Sequence, residues 1–315
     1  MTNKQLMFRD NEIIQILNKV YLKFKEGLFQ ESVELLEKAL AIDFEYNGIS
    51  GALKCANFWL ERMARLTDTT DSYERGEFLL SQWLHFMSFI ARIGDISERC
   101  VFNIKYYVFN EALVNYMTLY NEFDLNDADI LLRMGRCQKG KGNFESAIEL
   151  LQGASQQKRD NAVILAELAD CYSLINEERA AKVFFREAFF IKPGQIELAF
   201  IESPMILRLV DKIKDQGIDE PELFEWIPVY GTIFGLFNIK RELKPLELGK
   251  LKQSIYTLEK EIEQERNQKL VPRLINHYFW LIDHYLSSKE ERIRIDEVLQ
   301  KIKTVDPLIY KEYTH

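Results

Sequence analysis

The sequence repeats itself at a fixed interval of 34 residues. Laying residues 128–161 over residues 162–195 puts Leu131 on Leu165, Met134 on Leu168, Gly135 on Ala169 and Cys137 on Cys171. The same offset puts Ala147 on Ala181, Leu151 on Phe185 and Ala154 on Ala188. A recurrence of this length means stacked copies of one supersecondary unit, none of which can bury its apolar face alone. Small residues recur where two helix axes must come closest. Larger apolar residues recur at i, i+3 and i+4, the spacing of one helix face. Gly142 and Asn143 fall between the apolar blocks and mark a tight turn. Pro193 closes the second copy, because a helix does not run through it easily.

Composition agrees with a helical array. The chain has 315 residues, more than one ordinary core uses, which points to two domains or one elongated array. Its 14 Gly and 7 Pro are too few for a fold that turns a corner every few residues. A net charge of −8 repels phosphate backbones, so no nucleic-acid partner is expected. The first residues scatter charges among apolar positions, and no continuous apolar core follows a basic start. The longest nearly uncharged run, 226–239, is broken by Pro228, Gly231 and Gly235 and falls short of the ~20 apolar residues that span a bilayer. The expectation is a cytoplasmic protein without membrane insertion. Cys55, Cys100, Cys137 and Cys171 form no C-x-x-C and have no His at ligand spacing, so neither a zinc site nor a disulfide framework is expected.

Over residues 128–195 the chain resembles the tetratricopeptide repeat (TPR) family. That pattern carries an aromatic late in the first helix and a Pro after the second. Tyr172 and Pro193 supply both in the second copy, while Gln138 and Arg159 stand there in the first. A looser likeness covers 13–46, with Gly27 and Phe29 at the turn, Val33, Leu36 and Leu40 as a stripe, and Ala39 as the small residue. Another covers 276–307, a degenerate repeat or capping unit. The resemblance implies an all-α fold: a TPR-like helix-turn-helix superhelix over 1–201, degenerate at 47–122, then a helical C-terminal domain over 202–315. Within it, 66–72 reads as an inserted loop. Trp83 precedes a turn at Gly94-Asp95-Ile96, and 98–122 is a long aromatic helix or a pair. Ser203-Pro204 opens a helix to about Gln216 by a cap-then-Pro signal. Residues 217–243 read as irregular. Pro245 opens a helix with a heptad seam of Leu248, Leu251, Ile255, Leu258 and Ile262.

The resemblance also implies a function: a protein–protein interaction scaffold or adaptor, not an enzyme, that takes a partner helix or peptide on a concave face lined by the first helices. The lining residues would be Asp129, Leu132, Arg133, Arg136 and Lys139, then Glu167, Asp170 and Ser173. The basic stripe faces an acidic neighbour, and two readings stay open: a groove that orients a charged partner, or pairing within the chain. Some relatives grip a carboxylate tail with Lys, Asn and Arg. Leu132, Arg136, Ala166 and Glu167 hold the matching positions here, so that activity is not expected. A second possible interface, Trp226, Tyr230, Phe234 and Phe237, either packs internally or anchors a partner.

Other motifs carry less. Gly135 to Gly142 nearly matches a phosphate-binding loop, but Gly142 stands where a hydroxyl is needed and no strand precedes it. His277 and His284 lie two turns apart on a helix, about 10 Å, too far for one zinc ion. Glu259, Glu261, Glu263 and Glu265 read as a solvated face. No cofactor, metal or catalytic residue is expected. Two alternative functions remain: a structural subunit of a larger multiprotein assembly, built in through 226–239, or a helical sensor whose small-molecule pocket draws on the Tyr and Phe of 83–122.

Overall fold

A computed structural model describes residues 3–94, 96–122, 127–265, 267–289 and 291–314; Asp95 and the side chain of Glu265 lie outside the described residues. All regular structure among the described residues is helical. The chain divides into two compact units, Met1–Gln157 and Lys158–His315.

The first unit runs through α1 (Asn3–Glu26), α2 (Phe29–Ile42), α3 (Ile49–Leu66), α4 (Ser72–Ile93), α5 (Glu98–Glu122), α6 (Ala128–Gly140) and α7 (Phe144–Gln157). The inserted loop falls between α3 and α4, and the aromatic stretch is one helix, α5. Rings of the degenerate middle pack against one another and against Phe29 of α2. Phe29 stacks on Trp59, Trp59 meets Phe86 edge-on, and Trp83 meets Phe109 edge-on. These aromatics are thus engaged with one another in packing.

The second unit holds α8 (Ala162–Leu174), α9 (Glu178–Ile191), two 3₁₀ turns (Pro193–Gln195 and Leu198–Phe200), α10 (Pro204–Lys214), α11 (Leu223–Ile233), α12 (Pro245–Glu265), a 3₁₀ turn (Gln268–Leu270), α13 (Val271–Ser287), α14 (Arg292–Val305) and α15 (Pro307–Thr314). One continuous apolar cluster runs from Ala162 to Ile309. It joins α8 and α9 to the C-terminal helices, so the expected division at 201/202 falls inside this core. The seam of α12 packs internally: Leu251, Ile255 and Leu258 are buried in the cluster, with Leu248 and Ile262 against it. The irregular stretch expected at 217–243 contains a helix, α11, with Pro228 inside it. A Pro there removes one helical hydrogen bond. Burial of Leu223, Ile227 and Val229 outweighs that loss.

The 34-residue offset is built into local geometry. Asp127 caps α6 by accepting from the Asp129 N–H, and Asn161, 34 positions later, caps α8 by accepting from Val163 and Ile164. Helix α6 ends in a left-handed Gly142 (φ 84°), with Asn143 N–H donating to the Gln138 carbonyl at 2.9 Å. Helix α8 ends in a left-handed Asn176 (φ 63°), with Glu177 N–H donating to the Tyr172 carbonyl at 2.8 Å. Both are Schellman turns, in which a residue at positive φ lets the chain reverse and satisfies the last carbonyls. Gly27 closes α1 the same way, with Leu28 N–H on the Lys23 carbonyl at 2.9 Å. It also lies against the ring of Tyr107, which would sit 2.1 Å from an added Cβ.

Candidate partner-binding surface

The expected groove residues of α6 lie in the first unit. Arg133 takes Glu77 of α4 in a two-pronged ion pair, Nε to Oε1 at 2.5 Å and Nη2 to Oε2 at 3.3 Å. Its guanidinium lies 5.0 Å over the ring of Tyr73, and Tyr116 of α5 donates to the same carboxylate at 2.6 Å. Burial opposes the charge of Glu77, but the bonds from Arg133 and Tyr116 outweigh it and hold the carboxyl below its ordinary range. Leu132, Arg136 and Lys139 are buried, whereas Asp129 and Arg133 keep part of their surface open. Pairing within the chain therefore engages Arg133. Glu77 was not anticipated, because α4 lies in the degenerate stretch where the repeat register cannot be followed.

The expected groove residues of α8 lie in the second unit. Glu167 and Asp170 are buried there, and Ser173 is half-buried. Glu202 and Ser203 of the chain itself are seated against Asp170 and Ser173. Both Asp170 oxygens accept from Glu202 N–H, at 3.1 and 3.0 Å, and Oδ1 accepts from Ser203 N–H at 2.6 Å. Ser173 and Ser203 share a hydroxyl–hydroxyl bond of 2.7 Å. Helix α10 begins at Pro204 as expected, but the Ser203 side chain makes no cap. The carboxylate of Asp170 instead holds the two N–H groups just before the helix, a favourable charge near its N-terminus.

The second candidate surface divides. Trp226, Tyr230 and Phe234 form a ladder along α11, with ring centroids 5.6 Å apart at each step. Phe237 instead turns into the core, 6.2 Å from Phe189, and its ring presses so close to Gly231 that a Cβ there would be 2.3 Å away. Phe234 is 43% exposed and Lys212 lies 4.9 Å over its ring.

His284 and His277 make their hydrogen bonds within the chain. His284 Nδ1 accepts from Leu243 N–H at 3.1 Å. His277 Nδ1 bonds the Arg273 carbonyl at 2.8 Å, and its Nε2 pairs with Ser254 Oγ at 3.1 Å. No group of metal-ligating side chains occurs among the described residues. His277 and Ser254 border a cleft of about 530 Å³ that also meets Phe190 and Trp280. A serine beside a histidine invites comparison with a nucleophile and its base. Burial lowers the His277 pKa to about 4, too weak a base to serve at neutral pH.

No helix among the described residues is long and apolar enough to cross a membrane. No curated protein matches the chain. Residues 140–199, which span α7, α8, α9 and the first 3₁₀ turn after them, match the tetratricopeptide repeat family, and that match supports the likeness drawn from the 34-residue offset.

Proposed function

We propose that the protein is a protein–protein interaction scaffold that holds a partner helix or peptide on its repeat helices. The observation that carries this reading is the tetratricopeptide match over 140–199; repeats of this kind are in general protein-binding scaffolds. Rigid, preformed helix faces bind a segment without first having to order themselves. On this reading each unit carries its own patch: in the first, α6 offers Asp129 and Arg133 beside the buried Leu132, Arg136 and Lys139, and in the second, α8 offers Ser173 beside the buried Glu167 and Asp170. Asp129, Arg133 and Ser173 keep open surface and make first contact. The test is site-specific photocrosslinking in the native cell, with a benzophenone side chain in place of Asp129 and, as a control, in place of the exposed Phe44. A discrete protein adduct from position 129 alone is expected. Equal adducts from both positions, or none from 129, would sink this reading.

A second reading, a subunit built into a larger assembly, draws on the open edge of the α11 ladder at Phe234. Concentration-dependent association that Phe234→Asp abolishes would favour it over the groove.

A further inference from the structure

Residues 194–203 form a strap between α9 and α10. Pro193 and Pro204 bracket it, so neither helix can extend into it. The strap makes only short 3₁₀ turns, the last closed by Ile201 N–H on the Leu198 carbonyl at 3.0 Å. Beyond that point its backbone is fixed by side chains of α8. Two consecutive N–H groups enter the Asp170 carboxylate, and one hydroxyl meets Ser173. Ile196 and Ile201 are buried in the same apolar cluster as Leu165, Ala166 and Ala169 of α8. A receptor can hold a peptide segment with the same contacts: a carboxylate for the backbone, a hydroxyl for register and an apolar bed for side chains. Opening the strap uncovers Ile196, Phe200 and Ile201, so a segment that displaces it must refill the same apolar bed.

We propose that the face of α8 that bears Asp170 and Ser173 is a receptor for a protein segment, which residues 196–203 fill in cis until a partner segment of the same chemistry replaces them. The partner segment carries two apolar residues followed by a residue with a free N–H and then a serine, as in the strap's own Phe200-Ile201-Glu202-Ser203. The inference rests on the reading of α8 as a partner-binding helix and adds what it binds and how it is held shut.

The probe is a labelled synthetic peptide copying Gln195–Met205, titrated by fluorescence anisotropy against the full chain. Wild type binds it weakly, because the strap occupies the face. Ile201→Asp, which loosens the strap, binds it at least about tenfold more tightly, since the competent fraction rises. Adding Asp170→Asn to that variant abolishes the gain. Equal binding by wild type and Ile201→Asp, or a gain that survives Asp170→Asn, overturns the proposal. Should Ile201→Asp lose its helical circular dichroism, amide exchange on the unmodified chain decides. Saturating peptide is then expected to speed exchange at Glu202 and Ser203 while α8 stays protected, and unchanged exchange overturns the proposal. The crosslink from position 129 does not involve the strap, so failure here leaves the scaffold reading standing.

Discussion

Each unit ties an arginine to a carboxylate, and the two ties sit in different surroundings. Arg133 and Glu77, in the first unit, have side chains 21% and 40% exposed. Arg186 of α9 and Asp283 of α13, in the second, are 5% and 8% exposed. Water still reaches Glu77, and its two hydrogen-bond donors hold it in the charged form. At Asp283 burial is the larger effect, and it pushes the carboxyl above its ordinary range despite Arg186. Arg186 also donates to the Ile239 carbonyl and lies 4.5 Å over Trp280, yet its Nε finds no partner among the described residues. The same pair of residue types gains little when wet and is costly to break when dry.

The comparison breaks most sharply if the buried tie proves cheap. Asp283→Leu leaves a guanidinium that cannot shed its proton, and removing one partner of a buried pair costs about 3–5 kcal/mol. Arg186→Leu costs less, because Asp283 is already biased towards taking a proton. Urea denaturation followed by amide exchange in residues 158–315 measures both. Equal costs, or a larger one for Arg186→Leu, would contradict the account.

The next effect tests the two repeat contacts. Gly135 on α6 and Ala169 on α8 are equivalent at the 34-residue offset. A Cβ on Gly135 would lie 2.7 Å from Leu151 Cγ and 3.4 Å from the Ala147 carbonyl oxygen. Leu151 is fully buried and cannot swing aside. Gly135→Ala is therefore expected to cost about 1–3 kcal/mol by overpacking. Ala169→Gly, which only loosens a helix, costs about 1 kcal/mol. The same denaturation experiment, read in each unit, ranks them. A stabilising Gly135→Ala would show that α6 and α7 sit farther apart than described.

Sequence reasoning reached the contacts that repeat and missed those that do not. Small residues at a constant offset announced the α6–α7 and α8–α9 pairs, and glycines announced the turns at Gly27 and Gly142. The equivalent turn at Asn176 went unnoticed because asparagine only sometimes adopts positive φ. Helix α11 was hidden by Pro228, since a sequence does not say whether packing will outweigh a lost hydrogen bond. In the site, the charges of Arg133 and Asp170 were visible, but their partners were not. Glu77 lies 56 positions away in a stretch without repeat register. Asp170 is met by backbone N–H groups, which leave no mark on the sequence.

The exposed tie predicts a smaller loss. Glu77→Gln keeps an acceptor for Arg133 and Tyr116 but removes the charge, and a half-exposed ion pair is worth about 0.2–1 kcal/mol. A shift of the first unit's midpoint beyond that range would mean that water is excluded from Glu77 more fully than its exposure indicates.

The smallest effect, and the one that separates the ties by sign, is the response to pH. The Asp283 carboxyl is raised in the folded protein, so the folded state binds the proton more tightly than the unfolded chain. Its contribution is fully present below the ordinary carboxylate pKa and is lost as pH rises through the higher folded value. Glu77 is lowered, so its contribution is present above the ordinary value and is lost as pH falls through the folded one. Across the acid range the two groups should push their units in opposite directions. Asp283→Asn should remove a loss of stability on raising pH in residues 158–315. Glu77→Gln should remove a loss on lowering pH in the first unit. Exchange-detected stability of each unit against pH, in wild type and both variants, reads the two slopes separately. If both variants changed their slopes in the same direction, burial could not be what distinguishes the two pairs.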